Sequence, residues 1–314
     1  MPIINSSIVK NNLHLLFLIC LMLSTKIVHP QSDVVSSPAS ISTYNTFREP
    51  SRILIDGGFG NLEPLIFEAD LVPYFMLSLN RNVRWGIELS PRIIMRMYNK
   101  KSYPVLTPSF MPRMTVFYHL IDHENEKRDL FTYFSLFHHS NGQEGEFYNT
   151  DSITVNNQSG SFSTNWFEGG IFLSRPDPNF QHNINYFKLY AAYDFQQDNN
   201  LDGIYGRLRF FGNLQSNLNL SKIFSVFRQT DISRSYSLNQ SVRLGWIAGE
   251  LIDTKGFDRK RFIFQYTINF KPAFLNNITF FAQYYYGQDY YNIYFNRTLN
   301  VLRFGISTRS NIFN

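Results

Sequence analysis

His138, Ser140, Asn141 and Gly142 form an H-x-S-N-G run at the end of the stretch FTYFSLFHHSNGQEGEF, residues 131–147. In an extended strand, residues two apart point to the same side, with Cα atoms about 6.5 Å apart. His138 is therefore placed to reach the Ser140 hydroxyl as a general base, the nucleophile–base pairing of acyl transfer. Such a pair needs a third group that fixes the imidazole tautomer. Asn165, in the later stretch STNWFEGG (163–170), is the candidate.

Parity sharpens this reading. His138 and Ser140 share a strand face with Phe134 and Leu136, and Asn165 shares one with Phe167, Ile171 and Leu173. Trp166, Glu168 and Gly170 face the other way, as does His139 on its own strand. Three polar groups thus project to an apolar side, where they are expensive unless they serve a function. The chain holds no G-x-S-x-G elbow, no G-x-x-x-x-G-K-[ST] loop and no H-E-x-x-H. His119 and His123, four apart beside a charged turn, are expected to be solvated turn histidines rather than metal ligands.

The elements that must carry these residues are strands. Phe262–Phe270 (FIFQYTINF) alternates aromatic and aliphatic residues with Gln265, Thr267 and Asn269, a period of two. Tyr186–Phe195, Ile204–Phe210, Val242–Ala248 and Leu302–Ser307 repeat the pattern, with Lys188, Arg207, Arg209, Arg243 and Arg303 on the polar face. Breaks at 122–129 (DHENEKRD), 197–203 (QDNNLDG) and 275–277 read as turns. Outward apolar and inward polar alternation is the signature of a membrane barrel.

Composition agrees. Aromatics and charged residues each make up 17% of the chain, whereas soluble domains carry roughly 25% charged residues. Leu13–Ser24 is an apolar run behind Lys10, too short to span a bilayer, so residues 1–32 read as a secretory signal. Cys20, the one cysteine, lies inside that run. No later run of 18 apolar residues exists, and hydrocarbon cannot satisfy an open sheet edge, so a spanning chain of this kind must close. Residues 33–314 are therefore expected to form an all-β transmembrane antiparallel barrel of about 12 strands. Residues 33–60 carry little pattern and could be an extension or plug. The tyrosines at 284–286, 290, 291 and 294 are expected to form an interfacial girdle. Beyond residue 32, 27 basic against 24 acidic residues are too balanced and scattered to suggest nucleic acid as a partner.

At these motifs the sequence resembles the outer-membrane phospholipase A family. The family's motif is a strand ending in H-x-S-N-G, followed by a strand opening with a catalytic Asn, matched here by His138, Ser140, Asn141-Gly142 and Asn165. Ser102-Tyr103-Pro104 matches a second family motif in an external loop. The span 286–306 (YGQDYYNIYFNRTLNVLRFGI) resembles the family's last two strands. The resemblance covers roughly residues 80–308.

It implies a twelve-stranded outer-membrane barrel, dimeric with calcium, that hydrolyses phospholipids at either acyl position. Ser140 would be the nucleophile, His138 the base, Asn165 its orienting group and Gly142 an oxyanion donor. Ca2+ would be held by Ser102 of one subunit and by the Gln143 carbonyl and Ser161 of the other. The loop before Asn165 is longer than the family's, so Ser159 or Ser163 could replace Ser161. Leu106 stands where the family has arginine, and Met111 where it has glutamate. Two other readings compete: a lipid A deacylase, a shorter barrel with Glu as third residue, and a non-catalytic pore or structural barrel.

Overall fold

The computed structural model describes residues 48–77, 84–102, 104–123, 128–175, 185–218, 237–272, 275 and 278–308. The chain divides into two compact units, Met1–Ser36 and Ser37–Asn314. Every described residue belongs to the second, so the signal segment lies outside the described residues.

Thirteen strand segments follow one another: β1 (Arg52–Gly60), β2 (Leu65–Leu71), β3 (Phe75–Leu77), β4 (Trp85–Tyr98), β5 (Ser109–His123), β6 (Arg128–Ser140), β7 (Ser163–Ser174), β8 (Tyr186–Gln197), β9 (Leu208–Leu218), β10 (Ser237–Ala248), β11 (Phe262–Lys271), β12 (Ile278–Gln288) and β13 (Thr298–Thr308). Apart from β2 and β3, consecutive strands pair antiparallel. The sheet closes because β1 pairs with β13, from Arg52↔Ser307 to Phe59↔Leu302. β2 and β3 both pair with β4, at Leu71↔Ile93 and Phe75↔Leu89, so they are one strand broken around Pro73. The barrel therefore has twelve staves. Residues 52–60, expected to be patternless, are the stave that closes it. Among the described residues no helix is long and apolar enough to cross a membrane.

Alternation decides what faces where. Phe134, Phe210, Leu244, Phe280 and Phe304 point outward and are exposed. Their strand neighbours point into a lumen filled with paired charge. Arg96 is fully buried, with Nε 2.6 Å from Glu68 and both Nη atoms 2.9 Å from Asp289. Arg303 meets Glu68 at 3.1 Å, and Arg209 meets Asp194 at 2.8 Å. An apolar outside around a polar inside is the inverse of a soluble core and fits a transmembrane barrel.

One end of the barrel is capped. Phe147, Phe162, Leu201, Tyr205, Ile293 and Phe295 pack together from three connections, those after β6, β8 and β12. Tyr291 and Tyr294 join them, and burial pushes both phenols well above their ordinary range. Two expectations are corrected here. Among the expected girdle tyrosines, Tyr285 is buried in the lumen, Tyr290 lines the lumen and donates to Glu68, and Tyr291 and Tyr294 are buried in the cap, while Tyr284 and Tyr286 remain on the outward face. His119 is not solvated: it is 3% exposed on β5, 2.9 Å from Asp129 and stacked on Phe131.

Replacing Arg96 with Met leaves Glu68 and Asp289 buried without their shared cation. Breaking such a pair by removing one partner typically destabilises by about 3–5 kcal/mol. The expected outcome is a lower temperature at which the folded band converts to the unfolded one on heat-modifiability gels.

Candidate active site

The site lies on the outer wall where β6 and β7 reach the capped end. His138 stands directly opposite Asn165, and Ser140 opposite Ser163. The register is braced on both faces: Phe137 stacks on Trp166 inside (4.6 Å), and Phe134 meets Phe167 outside (5.3 Å). His138, Ser140 and Asn165 are half-buried, as outward residues near a barrel rim should be, while His139 is 3% exposed and edge-on to Phe162 in the lumen. The parity reading is thus the observed arrangement.

His138 Nδ1 lies 2.9 Å from Asn165 Oδ1. The amide oxygen can only accept, so Nδ1 is the donor in this contact, which leaves Nε2, on the ring edge away from Asn165, as the nitrogen able to act as a base. Asn165 is itself oriented, because its Nδ2 donates to Gln196 Oε1 at 3.4 Å. Gln196 escaped the sequence reading for a physical reason. Strict alternation from Asp194, a buried lumen residue, would turn Gln196 inward. A bulge shifts the β7–β8 register between Asn165 and Trp166, so Asn165 pairs with Gln196 and Trp166 with Asp194. Phe195 and Gln196 are then both exposed on the outside, with Phe195 stacked on Phe167 at 4.2 Å. The sequence carries no signal for the bulge beyond the turn residues that begin at Asp198.

The loop after Ser140 is fixed by Asn141, a buried side chain. Its Nδ2 donates to the Gly160 carbonyl (2.8 Å), and its Oδ1 accepts from the amides of Phe162 (3.0 Å) and Gln143 (3.3 Å). One side chain thus ties both ends of the 142–162 connection to the β6–β7 rim. Gly142 follows with φ +64°, a left-handed turn that favours glycine. It is exposed, and a side chain there would meet only the Phe110 ring at 3.7 Å. Backbone conformation, not crowding, is what selects glycine here. Farther along, exposed Asp151 accepts from the Thr154 hydroxyl and the amides of Ile153 and Thr154, which together hold its carboxyl below the usual range.

The expected calcium residues are dispersed over the same rim. The Gln143 side chain donates to Thr107 Oγ1, which fastens the loop after β6 to the loop after β4. Ser102 lies exposed in that second loop. The Ser161 hydroxyl sits 3.4 Å from Asp198 Oδ2. The expected ligands, the Gln143 carbonyl and the Ser102 and Ser161 hydroxyls, are oxygens, as is the Asp198 carboxylate beside Ser161, which fits the preference of a hard cation. Among the described residues, no three His, Cys, Asp or Glu converge as a metal cage. Leu106 and Met111 pack against the apolar cap.

No sequence-family profile matches the chain, and no curated protein matches it. Solved structures do. Outer membrane phospholipase A from Escherichia coli is 11% identical, with a TM-score of 0.55 covering 87% of this chain and 98% of that one. A structure of the same protein with an active-site asparagine replaced by alanine, at pH 6.1, is 10% identical, with a TM-score of 0.53 and coverage of 87% and 99%. The Salmonella typhi outer membrane phospholipase, a dimer with bound calcium, is 10% identical, with a TM-score of 0.53 and coverage of 85% and 97%. At these identities the likeness is one of fold.

Asn141→Ala removes three hydrogen bonds at the loop base, and each buried group left unsatisfied costs about 1–3 kcal/mol. Limited proteolysis should then cut within residues 143–161 at least about ten-fold faster, with the barrel itself remaining protected.

Proposed function

We propose that this chain is an outer-membrane phospholipase that hydrolyses acyl esters of membrane phospholipids through Ser140, His138 and Asn165. The observation that carries this reading is the 2.9 Å contact between His138 Nδ1 and Asn165 Oδ1 on the outward face, two residues before a serine. An orienting amide bound to an imidazole has little structural use on a lipid-facing wall. The fold likeness to phospholipases with an active-site asparagine supports it. Residues 1–32 are then the export signal for delivery to that membrane.

The chemistry follows from the tautomer. Asn165 holds Nδ1–H, so Nε2 accepts the proton from Ser140 Oγ as that oxygen attacks the acyl carbonyl. The carbonyl oxygen gains negative charge, which the Gly142 N–H would stabilise by donating to it. Collapse breaks the ester C–O bond, and the imidazolium returns its proton to the departing lysolipid oxygen. Water then attacks the acyl-serine, with His138 again as base, releasing fatty acid. Acyl chains reach Ser140 from the bilayer because the site opens on the wall, not in the lumen.

Calcium is part of this proposal. Gln143 and Ser161 of one copy and Ser102 of a second would hold it at a dimer contact, where it would add positive charge near the oxyanion. Glu168 does not serve as a third residue of the deacylase kind, since it faces the lumen and accepts from Tyr133 (2.6 Å) and Lys188 (3.2 Å).

Hydrolysis of detergent-dispersed phospholipid tests the assignment. Ser140→Ala should lower kcat by a factor on the order of 10⁴ or more, and His138→Ala by nearly as much. Asn165→Ala should lose less, on the order of 10²-fold, because a neutral amide orients the ring without stabilising its positive charge. His139→Ala should stay within about ten-fold of wild type, since its side chain faces the lumen. Full activity in Ser140→Ala would overturn the reading. In a separate assay, Ser102→Ala should weaken calcium-dependent dimerisation by sedimentation without shifting the heat-modifiability of the monomer, as expected for an exposed loop residue.

A further inference from the structure

The lumen holds a cavity of about 290 Å³. Eight Arg and Lys side chains line it against five Asp and Glu. Most of the cations are committed. Arg48 and Arg113 end on Glu88 (2.6 and 3.2 Å), Arg92 on Asp70 (2.7 Å), Lys188 on Glu168 (3.2 Å), Arg209 on Asp194 (2.8 Å) and Arg303 on Glu68 (3.1 Å). Arg52 of β1 and Arg243 of β10 end on no carboxylate among the described residues. Arg52 rests over the Phe281 ring (5.4 Å) and Arg243 over Phe211 (4.5 Å), and the Nε of each is buried without an acceptor.

Arg243 also meets the Tyr190 hydroxyl, but two guanidinium groups without a carboxylate partner on the wall of an internal polar space are a costly arrangement. Guanidinium is always charged, and its five N–H groups need acceptors. Glu49 shows what the cavity attracts. It precedes the closing strand, projects inward between Arg92 (3.5 Å) and Arg113 (3.3 Å), and still leaves half of its side chain exposed to the cavity. The chain thus supplies one anion of its own and leaves a surplus of positive charge around the remaining space.

We propose that this lumen cavity is a binding site for a small multivalent oxyanion of the phosphate class, held by Arg52 and Arg243. The fork of N–H donors on each arginine matches the paired oxygens of such an ion. The site is separate from the phospholipid site, because the barrel wall stands between the cavity and Ser140. The ligand is a free ion rather than a lipid headgroup, since acyl chains remain on the other side of that wall.

Titration calorimetry of the full-length, detergent-folded protein with inorganic phosphate tests this, with chloride at equal ionic strength as control. Saturable binding is expected, and Arg52→Gln and Arg243→Gln should each weaken it about ten-fold or more, the loss expected for one charged hydrogen-bonding group. Glu49→Gln should strengthen it several-fold by removing the competing carboxylate. Both arginine variants should keep wild-type heat-modifiability and wild-type lipid hydrolysis, which separates this inference from the proposed enzymatic function. Absence of saturable phosphate binding, or binding unchanged in both arginine variants, overturns the proposal. Should an arginine variant fail to fold, the opposite shift expected from Glu49→Gln decides: unchanged or weaker affinity in that variant overturns it.

Discussion

The β1–β13 ladder is the constraint on which the rest of the molecule depends. In hydrocarbon each unpaired backbone N–H or C=O costs several kcal/mol, so a sheet that spans a bilayer has to return on itself. Here the return is made by Arg52–Gly60 against Val301–Ser307, strands that are remote in sequence. Once the sheet is closed, inside and outside are fixed for every residue by parity alone. The outward face becomes apolar and the lumen collects the charge. Because charge collected in a lumen has to be compensated, the interior carries ion pairs, such as Arg96 between Glu68 and Asp289, beside buried aromatic clusters such as Phe117, Phe131 and Phe172.

The same parity explains why catalysis would sit on the wall. His138 and His139 are chain neighbours, yet one faces lipid and the other the lumen, beside Trp166 and Phe162. A substrate dissolved in the bilayer meets only the first. The aromatic braces on either side of the β6–β7 pair hold the register that sets His138 opposite Asn165. A slip of one residue would exchange the two histidines, so the brace and the site are one structural problem.

Much of this was legible in the sequence because strand periodicity is short and local. H-x-S at a spacing of two, and the parity of Asn165 with Phe167 and Ile171, are enough to put three polar side chains on one outer face. What alternation cannot supply is where it fails. The bulge at Phe195 turns Gln196 outward against its parity, and no residue type announces it. The tyrosines after Gly287 were misplaced for a similar reason. Strand counting continues their alternation, whereas the chain leaves the barrel at Gln288 and folds Tyr291 and Tyr294 into the cap. The closing stave, Arg52–Gly60, was also unreadable, since its glycines and Asp56 at φ +64° interrupt the pattern near the β1 bulge.

The choice of an amide rather than a carboxylate beside His138 has a physical rationale in this setting. An aspartate at position 165 would stabilise the imidazolium better, but it would face the bilayer edge. A charged group there is costly, and desolvation drives a carboxylate toward its protonated form. Protonated, it would donate a hydrogen bond where His138 needs an acceptor. Asn165 avoids this conflict: it accepts with Oδ1 at any pH and donates from Nδ2 to Gln196. Orientation is kept and electrostatic stabilisation of the imidazolium is lost. In the proposed reaction the missing charge would come from the oxyanion side, through the Gly142 amide and a cation held by the loop of Gln143 and Ser161, so a weak third residue and a cation at the rim would be two parts of one solution to working at a lipid surface.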